Sequence, residues 1–194
     1  MVKLRSMVIN ADSSGVDSTA ADDARITRVG HFIRKTKLDE ITQLWNVLTG
    51  EMSLVGPRPN VKRETDLYTL EEQHLLSVKP GITDFASIVF SDEGDILEGA
   101  EDPDIAYHQL IRPGKSKLGL FYVSNRNIGL DLILIVVTVY AVVNKAAALA
   151  VIGKLLRNLD ASPELQDIAS RSAPLVPMPP PGATNIVTNR DGSL

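Results

Sequence analysis

The sequence has no cysteine, a single tryptophan and few aromatic residues, which make up 5% of its 194 positions. The lack of cysteine excludes thiol catalysis and disulfide bonds, and it fits a protein that faces the cytosol. No glycine-rich motif of the dinucleotide-binding or P-loop kind is present. A net charge of −4, without interleaved aromatic residues, argues against nucleic-acid binding. The three histidines lack the spacing of metal ligands, so we expect them to be structural or surface residues.

The most informative part of the sequence is the stretch from Lys37 to Pro59. Apolar residues recur there at helical spacing, which predicts an amphipathic helix over about 38–48 with its apolar side buried. These residues are Leu38, Ile41, Leu44, Trp45 and Leu48. Thr36 suits the N-cap of this helix, and Gly50 suits its end.

The first turn of this predicted helix contains Asp39 and Glu40. Unpaired backbone N–H groups and the positive end of the helix dipole favour anions there, including a bound phosphate. Basic residues precede the two acids without an intervening carboxylate: Arg25, Arg28, Arg34, Lys35 and Lys37. Cations beside carboxylates suit a metal-assisted phosphate site. The simpler interpretation is that the two acids only cap a helix.

A strand is predicted over 51–55, followed by the turn Gly56-Pro57-Arg58-Pro59. The two prolines fix the backbone on either side of Arg58, so this arginine is held ready to bind an anion.

The rest of the sequence predicts helices and short strands in alternation. Thr69 to Glu72 has the pattern of a capping box, and Asp102-Pro103 that of a helix start. Residues 82–90 have strand-like composition, Pro113-Gly114 is expected to break a helix, and 115–125 to form another. The fold class is therefore mixed α/β: a compact, helix-rich catalytic domain with short strands.

Residues 132–152 form an apolar run that is long enough on paper to cross a membrane. Lys145 lies inside this run, so we expect a helix in the membrane interface or packed on the domain. Further on, six of the eleven prolines fall between Pro163 and Pro181. We therefore predict a catalytic domain over 1–158 and a disordered, proline-rich tail over 159–194.

Taken together, these motifs resemble the bacterial sugar transferase family, the monotopic polyprenyl-phosphate phosphoglycosyl transferases. The resemblance extends over about 3–143 in an ordered series of matches, which makes it specific. The matching pieces are 3–7, 25–27, Gly30, Arg34, 38–40, 43–44, 46–48, Gly50, 52–59, 79–83 and 130–132. In many relatives glycine or serine stands at Asp84 and glutamine at Ser87, which leaves substrate selection at this loop open.

The resemblance implies transfer of a phospho-sugar from a UDP-sugar to polyprenyl (undecaprenyl) phosphate, the first membrane step of surface glycan assembly. It implies that Asp39 is the nucleophile and that a covalent aspartyl phosphosugar forms. Glu40, with Asp39, would hold Mg²⁺. The phosphate- and nucleotide-binding residues would be Lys3, Arg5, Arg34, Arg58 and Asp131. The sugar, the glycan pathway and the oligomeric state remain open.

The same resemblance places the protein at the cytoplasmic face of the inner membrane, as a peripheral or monotopic protein. Family members carry a hydrophobic re-entrant membrane helix ahead of the motif at 3–7, and this sequence shows none before it. We therefore expect membrane contact to depend on the helix from Asp131 and on the cations before Asp39. The alternative function is a catalytically inactive remnant that serves as an interaction scaffold.

Overall fold

The computed structural model of the chain describes residues 4–9, 11, 18–20, 22–35 and 42–190, although the side chains of residues 34 and 35 are not described. In the N-terminal part, Met7 forms an antiparallel bridge with Ile26. Helix α1 follows over Arg28–Lys35, and helix α2 over Gln43–Leu48. Gly50 has a positive φ of 78° just after α2, which confirms its predicted place at the helix end.

The described strands form a small two-stranded parallel sheet. Strand β1, Ser53–Val55, pairs with β2, Gly81–Thr83, with Ser53 opposite Gly81 and Val55 opposite Thr83. A Cβ atom on Gly81 would lie 2.1 Å from the backbone nitrogen of Gly56, so only glycine fits this approach. The sheet therefore brings the turn after β1 close to the segment that precedes β2.

Helices make up most of the remaining described structure. Helix α3 covers Lys62–Thr65 and a 3₁₀ helix Glu72–Ser77. After β2 come α4 (Phe85–Val89), α5 (Glu93–Leu97) and α6 (Pro103–Ala106). A π-helical turn, Tyr107–Ile111, leads into α7, Arg112–Asn125. The last helices are α8 (Ile128–Val143), α9 (Lys145–Asn158) and α10 (Pro163–Ser170).

Two elements differ from the sequence prediction. The strand expected over 82–90 is only Gly81–Thr83, because Asp84 caps helix α4 by accepting a hydrogen bond from the Ser87 backbone N–H. The break expected at Pro113-Gly114 is also absent. Pro113 lies in the first turn of α7, where its missing N–H leaves no partner unpaired, and the π-helical turn keeps the chain helical ahead of it.

The hydrophobic core lies between α4, α7, α8 and α9. Phe85, Ile111, Leu118, Leu134 and Ile152 are all fully buried in it. The apolar run over 132–152 is divided between α8 and α9, because Asn144 leaves the helical conformation and caps α9 with its side chain.

Lys145, at the start of α9, forms an ion pair with Asp92 at 2.7 Å. The buried residues of the apolar run over 132–152, such as Leu134 and Ile152, belong to the core, so the prediction that this run packs on the domain is confirmed for its buried side. Among the described residues, none of the helices has both the length and the apolar character needed to cross a membrane.

The proline-rich segment differs from the predicted disordered tail. Helix α10 packs against α7, and the chain beyond it is held by hydrogen bonds: Thr69 donates to the Pro181 carbonyl at 2.5 Å, and Gln109 to the Val187 carbonyl at 2.7 Å. Val187 is fully buried. Prolines lower the conformational entropy lost on ordering, and these distant contacts, which local composition does not reveal, provide the remaining stabilisation. Fold and helix content otherwise agree with the mixed α/β prediction.

Candidate active site

A cleft opens beside the turn that follows β1. Its volume is about 240 Å³. Among the described residues, the basic side chains of Arg58, Arg112 and Lys115 line it, together with the carboxyl of Asp84. Hydroxyl groups of tyrosine, serine and threonine make up much of the remaining polar lining: Thr65, Tyr68, Ser87, Tyr107 and Ser116. A cleft with this lining suits a ligand that carries both anionic and hydroxyl groups.

Arg58 reaches the cleft because the Gly56–Pro59 turn leaves the sheet there. Pro57 and Pro59 line the cleft with it, as the rigid turn predicted from the sequence requires. The prediction that this arginine is presented on a proline-flanked turn is thus consistent with the geometry. Its role in binding phosphate stays a prediction.

One wall of the cleft is a buried ion pair between Arg112 and Glu72. The Arg112 guanidinium donates to Glu72 through Nε at 3.0 Å and through Nη2 at 2.6 Å. The same Nη2 donates to the Leu67 carbonyl at 2.6 Å, and Ser116 donates to Glu72 at 2.7 Å. Glu72 also completes the predicted capping box, since it exchanges hydrogen bonds with Thr69 in both directions.

Aromatic and imidazole groups pack around this ion pair. The Arg112 guanidinium lies 5.8 Å from the centre of the Tyr68 ring. Burial and the nearby Glu72 carboxylate raise the pKa of Tyr68 to about 12. Burial and the Arg112 cation lower the pKa of His108, whose Nδ1 lies 3.4 Å from Nη1 of Arg112. The wall is therefore a fixed surface with a neutral imidazole behind it.

Lys115 and Asp84 are two further ionisable groups that line the cleft. Lys115 forms an ion pair with Glu93 and lies 5.4 Å from the centre of the Tyr107 ring. Asp84 is only 1% exposed, and burial raises the pKa of its carboxyl. Hydrogen bonds from Ser87 and the charges of Lys115 and Arg58 offset part of that increase. The cleft thus holds a buried acid among basic groups.

Asp131 lies at the end of β1 rather than in the cleft. Tyr122 donates to Asp131 Oδ1 at 2.7 Å, and the same hydroxyl lies 3.3 Å from the Val55 carbonyl oxygen. Burial and the hydrogen bond to Asp131 raise the pKa of Tyr122. This contact ties the start of α8 to the strand that leads into the Arg58 turn. The predicted nucleotide-binding role of Asp131 stays a prediction.

The remaining predicted site residues are less completely described. Lys3, Asp39 and Glu40 lie outside the described residues. Arg34 is on α1, but its side chain is not described. Arg5 is exposed ahead of the Met7–Ile26 bridge and does not line the cleft. In the described part of the chain no group of three or more acidic, histidine or cysteine side chains is arranged to hold a metal.

Helix α2, which follows the segment of Asp39 and Glu40, is oriented opposite to the prediction. Trp45 is 62% exposed and Leu48 80%, whereas Gln43 and Asn46 are each 2% exposed. The Asn46 side-chain amide donates a hydrogen bond to the Glu51 carboxylate at 2.5 Å, so this polar side chain has a partner on the inward side. The expectation that Leu44, Trp45 and Leu48 are buried is therefore wrong.

Sequence reasoning missed Arg112 and Lys115, which line the cleft, and it named Asp84 only for the open question of substrate selection at its loop. Arg112 and Lys115 are spaced by three positions and project from one side of a helix, but a helix break was expected next to them. Asp84 was placed in a strand. The Asp84 to Ser87 spacing, an N-cap pattern, was the available signal.

The fold and the cleft define a class: a small helix-rich α/β domain with an arginine-lined cleft suited to an anionic ligand. Comparison with known proteins identifies the family. The family model described as "Bacterial sugar transferase" matches residues 1–145. The chain belongs to this family.

Several curated proteins are similar to parts of this chain. The UDP-glucose:undecaprenyl-phosphate glucose-1-phosphate transferase of Klebsiella pneumoniae is 37% identical over 150 residues, which cover 75% of this chain and 30% of that protein. The UDP-N-acetylgalactosamine-undecaprenyl-phosphate N-acetylgalactosaminephosphotransferase of Aeromonas hydrophila is 34% identical over 142 residues, 71% of this chain and 30% of that protein.

A UDP-galactose-lipid carrier transferase of Erwinia amylovora is 44% identical over 97 residues, 42% of this chain and 20% of that protein. The chain thus spans about 20 to 30% of the length of these three relatives.

Proposed function

We propose that this protein is a phosphoglycosyl transferase, which moves a phospho-sugar from a UDP-sugar to undecaprenyl phosphate. The observation that carries the proposal is the cleft, in which the proline-flanked Arg58 faces a set of hydroxyl and basic side chains. Membership of the bacterial sugar transferase family and the names of the relatives support the reaction class.

The proposed chemistry has two steps. A carboxylate oxygen of Asp39 attacks the phosphorus next to the sugar, the bond from that phosphorus to UMP breaks, and an aspartyl phosphosugar forms. An oxygen of undecaprenyl phosphate then attacks the same phosphorus. The bond to Asp39 breaks and the carboxylate is regenerated. Division into two steps avoids a direct displacement between two large anionic substrates.

The arginines orient the phosphate groups in this proposal. Of the predicted phosphate-binding arginines, Arg58 is the one described on the wall of the cleft, and its planar guanidinium can bind two phosphate oxygens at once. Arg34 and Lys3 would add further positive charge. Arg112 and Lys115 form ion pairs with Glu72 and Glu93, so their positive charges are partly neutralised and attract a phosphate less strongly, and their main role is to shape the cleft.

The proposed cofactor is Mg²⁺, held by Glu40 with Asp39. Carboxylate oxygens are the donors that this hard cation prefers, and it binds through one or two of them together with substrate phosphates. When bound, it would neutralise charge on the pyrophosphate. Glu40 positions the cation and accepts the proton from the lipid phosphate where one is present.

We further propose that the protein acts at the cytoplasmic face of the inner membrane. Two helices that pack on β1 expose apolar side chains. On α8 the exposed positions follow one helical stripe, Leu132, Val136, Val139 and Val143, opposite the buried stripe of Leu130, Leu134 and Val137. On α2 they are Leu44, Trp45 and Leu48. Such faces suit the interface of a bilayer, where the lipid substrate is found.

Basic residues near α1 would strengthen this contact by attraction to anionic lipid. Arg28 is exposed, as this role requires. Arg25 instead forms an ion pair with Asp23 at 2.7 Å and donates to the Ala11 carbonyl at 3.2 Å, so it stabilises the N-terminal loop.

The test is UMP release from a UDP-sugar in the presence of undecaprenyl phosphate and Mg²⁺. We expect release to stop with excess chelator, since the pyrophosphate would face two carboxylates without a counter-ion, and to fall strongly in Glu40→Gln, which lacks one of the proposed Mg²⁺ ligands. Asp102→Asn, at a helix cap outside the cleft, serves as the matched control. Release that continues in excess chelator, or a fully active Glu40→Gln, would count against the metal role. An absence of UMP release from any UDP-sugar would favour the inactive scaffold.

A further inference from the structure

The buried carboxyl of Asp84 uses only one of its two oxygens within the fold. Oδ1 accepts hydrogen bonds from the Ser87 backbone N–H and from the Ser87 hydroxyl, both at 2.7 Å. In the described part of the chain, no group donates a hydrogen bond to Oδ2. Oδ2 is not cut off from solvent, so it can accept a hydrogen bond from a molecule bound in the cleft.

Capping of α4 does not require the second carboxylate oxygen of Asp84. Serine, threonine or asparagine caps a helix as well as aspartate does, and none of these brings a second charged oxygen into the interior. Helix α4 is five residues long, so it offers little dipole to a negative charge. The helix cap therefore accounts for the hydrogen bonds to Oδ1 and gives no role to Oδ2.

The surroundings of Oδ2 place it on the cleft. Asp84 lines the cleft, and so does Gly119 on α7. A Cβ atom built on Gly119 would lie 2.8 Å from Leu75 Cδ2 and 3.9 Å from Asp84 Oδ2, which places this oxygen beside α7. Lys115 and Arg58 are the charged groups that act on Asp84, and both line the same cleft.

A carboxylate oxygen with free lone pairs accepts hydrogen bonds and donates none. The cleft therefore presents basic groups suited to phosphates next to an acceptor suited to hydroxyls. A nucleotide sugar has both kinds of group on neighbouring atoms. A phosphate placed directly on Asp84 would be repelled, so its partner is the uncharged, hydroxyl-bearing part of the ligand.

We propose that Asp84 determines substrate specificity, with its Oδ2 accepting hydrogen bonds from sugar-ring hydroxyls of the bound nucleotide sugar. The inference rests on the proposed function and names a residue that recognises the sugar rings of the substrate. Two rings of the substrate carry this chemistry, the ribose and the transferred hexose, and the experiment separates them.

The experiment uses Asp84→Asn and Asp84→Ser in the full chain. Asparagine keeps the cap and the shape of the side chain, but it can turn the free oxygen into an N–H donor. Serine keeps the cap and removes the second polar atom. Asp102→Asn, the matched control, caps α6 outside the cleft. Thermal melting of each variant checks that the fold is retained.

The first measurement is kcat/KM for a panel of UDP-sugars that includes glucose, galactose and N-acetylgalactosamine derivatives. For the preferred sugar, we expect a loss of about 10- to 100-fold in Asp84→Asn, the effect of losing a charge-assisted hydrogen bond. If Asp84 contacts the hexose, the ratio of kcat/KM between epimeric UDP-sugars should become smaller. A contact to the ribose or a purely structural role would lower kcat/KM for all substrates alike and leave their ratios unchanged, and the thermal melting and UDP binding of the variants separate these two cases.

The second measurement is the affinity for UDP alone, which needs no turnover. Weaker UDP binding in Asp84→Asn assigns the contact to the ribose, and unchanged UDP binding with an altered sugar preference assigns it to the hexose. If both variants keep kcat/KM and UDP affinity within about twofold of wild type, Asp84 is only a helix cap and the inference is wrong. If wild type releases no UMP from any UDP-sugar, the proposed function fails, while UDP affinity still tests Asp84.

Discussion

At the scale of single residues, Glu72 takes part both in a helix capping box and in the ion pair that forms one wall of the cleft. One carboxylate accepts from the Thr69 backbone N–H as part of a capping box, from Arg112 in two places and from the Ser116 hydroxyl. Glu72 is fully buried and Arg112 nearly so. Removal of one charge would leave the other buried and uncompensated, which is the costly outcome for such pairs.

We predict that Glu72→Ala lowers the free energy of unfolding by about 3–5 kcal/mol. Glu72→Gln should cost less because its carbonyl oxygen still accepts hydrogen bonds. Denaturant unfolding followed by circular dichroism measures both. The control is Asp66→Ala, which breaks the exposed ion pair of Asp66 with Lys62 and should change stability little. A Glu72→Ala variant as stable as this control would contradict the account.

The sequence identified Thr69 and Glu72 as a capping box, because that motif is local. It did not identify Arg112 as a partner of Glu72, since forty positions separate them and only the packing of α7 beside the 3₁₀ helix unites them. The same holds for Asp84, whose position on the cleft depends on where α7 passes. Local motifs can be predicted from the sequence, whereas contacts between residues that are distant in sequence can be identified only once the fold is known.

At the scale of helices, α2 and α8 share an unusual distribution of apolar residues. Both pack on β1, and both leave large apolar side chains exposed. For α2, helical periodicity correctly predicted which residues share a face, but not that this face would point outward. The periodicity of apolar residues shows which of them share one face of a helix, but it does not show what that face contacts. A helix that faces a lipid surface and one that faces a protein core therefore have the same sequence pattern.

We predict that the fluorescence of Trp45, the sole tryptophan, shifts to shorter wavelength when anionic vesicles are added. The indole ring would move from water into the interface of the bilayer. The shift should weaken at high salt, because screening reduces attraction between basic residues and lipid. Neutral vesicles should give a smaller change.

Leu48→Ser should reduce this vesicle binding without destabilising the protein, since Leu48 is exposed. Leu70→Ser is the control, an equally exposed leucine outside α2 and α8. An unchanged Trp45 spectrum with anionic vesicles at low salt would mean that α2 does not enter the bilayer.

At the scale of the whole molecule, the segment after α9 is an integral part of the structure up to residue 190. It lies beyond the residues that the family model matches, yet it is hydrogen-bonded to Thr69 and Gln109 within the matched part. Arg171 pairs with Asp92 at 3.2 Å, and Arg190 with Asp102 at 2.5 Å. Composition predicted disorder because proline-rich sequence has few apolar residues, but one buried valine and a few backbone contacts hold it here.

We predict that Val187→Ala lowers the free energy of unfolding by roughly 1–3 kcal/mol, from the lost methyl groups and the cavity they leave. Val176→Ala, an exposed valine in the same segment, should have almost no effect. Equal stability of the two variants in denaturant unfolding would mean that the segment is disordered in solution, as its composition suggests.

The central claim, that Asp39 is the nucleophile of a sugar-phosphate transferase, is tested most directly by intact-protein mass spectrometry. The protein is incubated with a UDP-sugar and Mg²⁺ in the absence of undecaprenyl phosphate, and its mass is then measured. We predict a mass increase that corresponds to one sugar phosphate, lost when the lipid phosphate is added and absent in Asp39→Asn, whose carboxamide keeps the shape but cannot act as the anionic nucleophile. The same mass increase in Asp39→Asn would contradict the account.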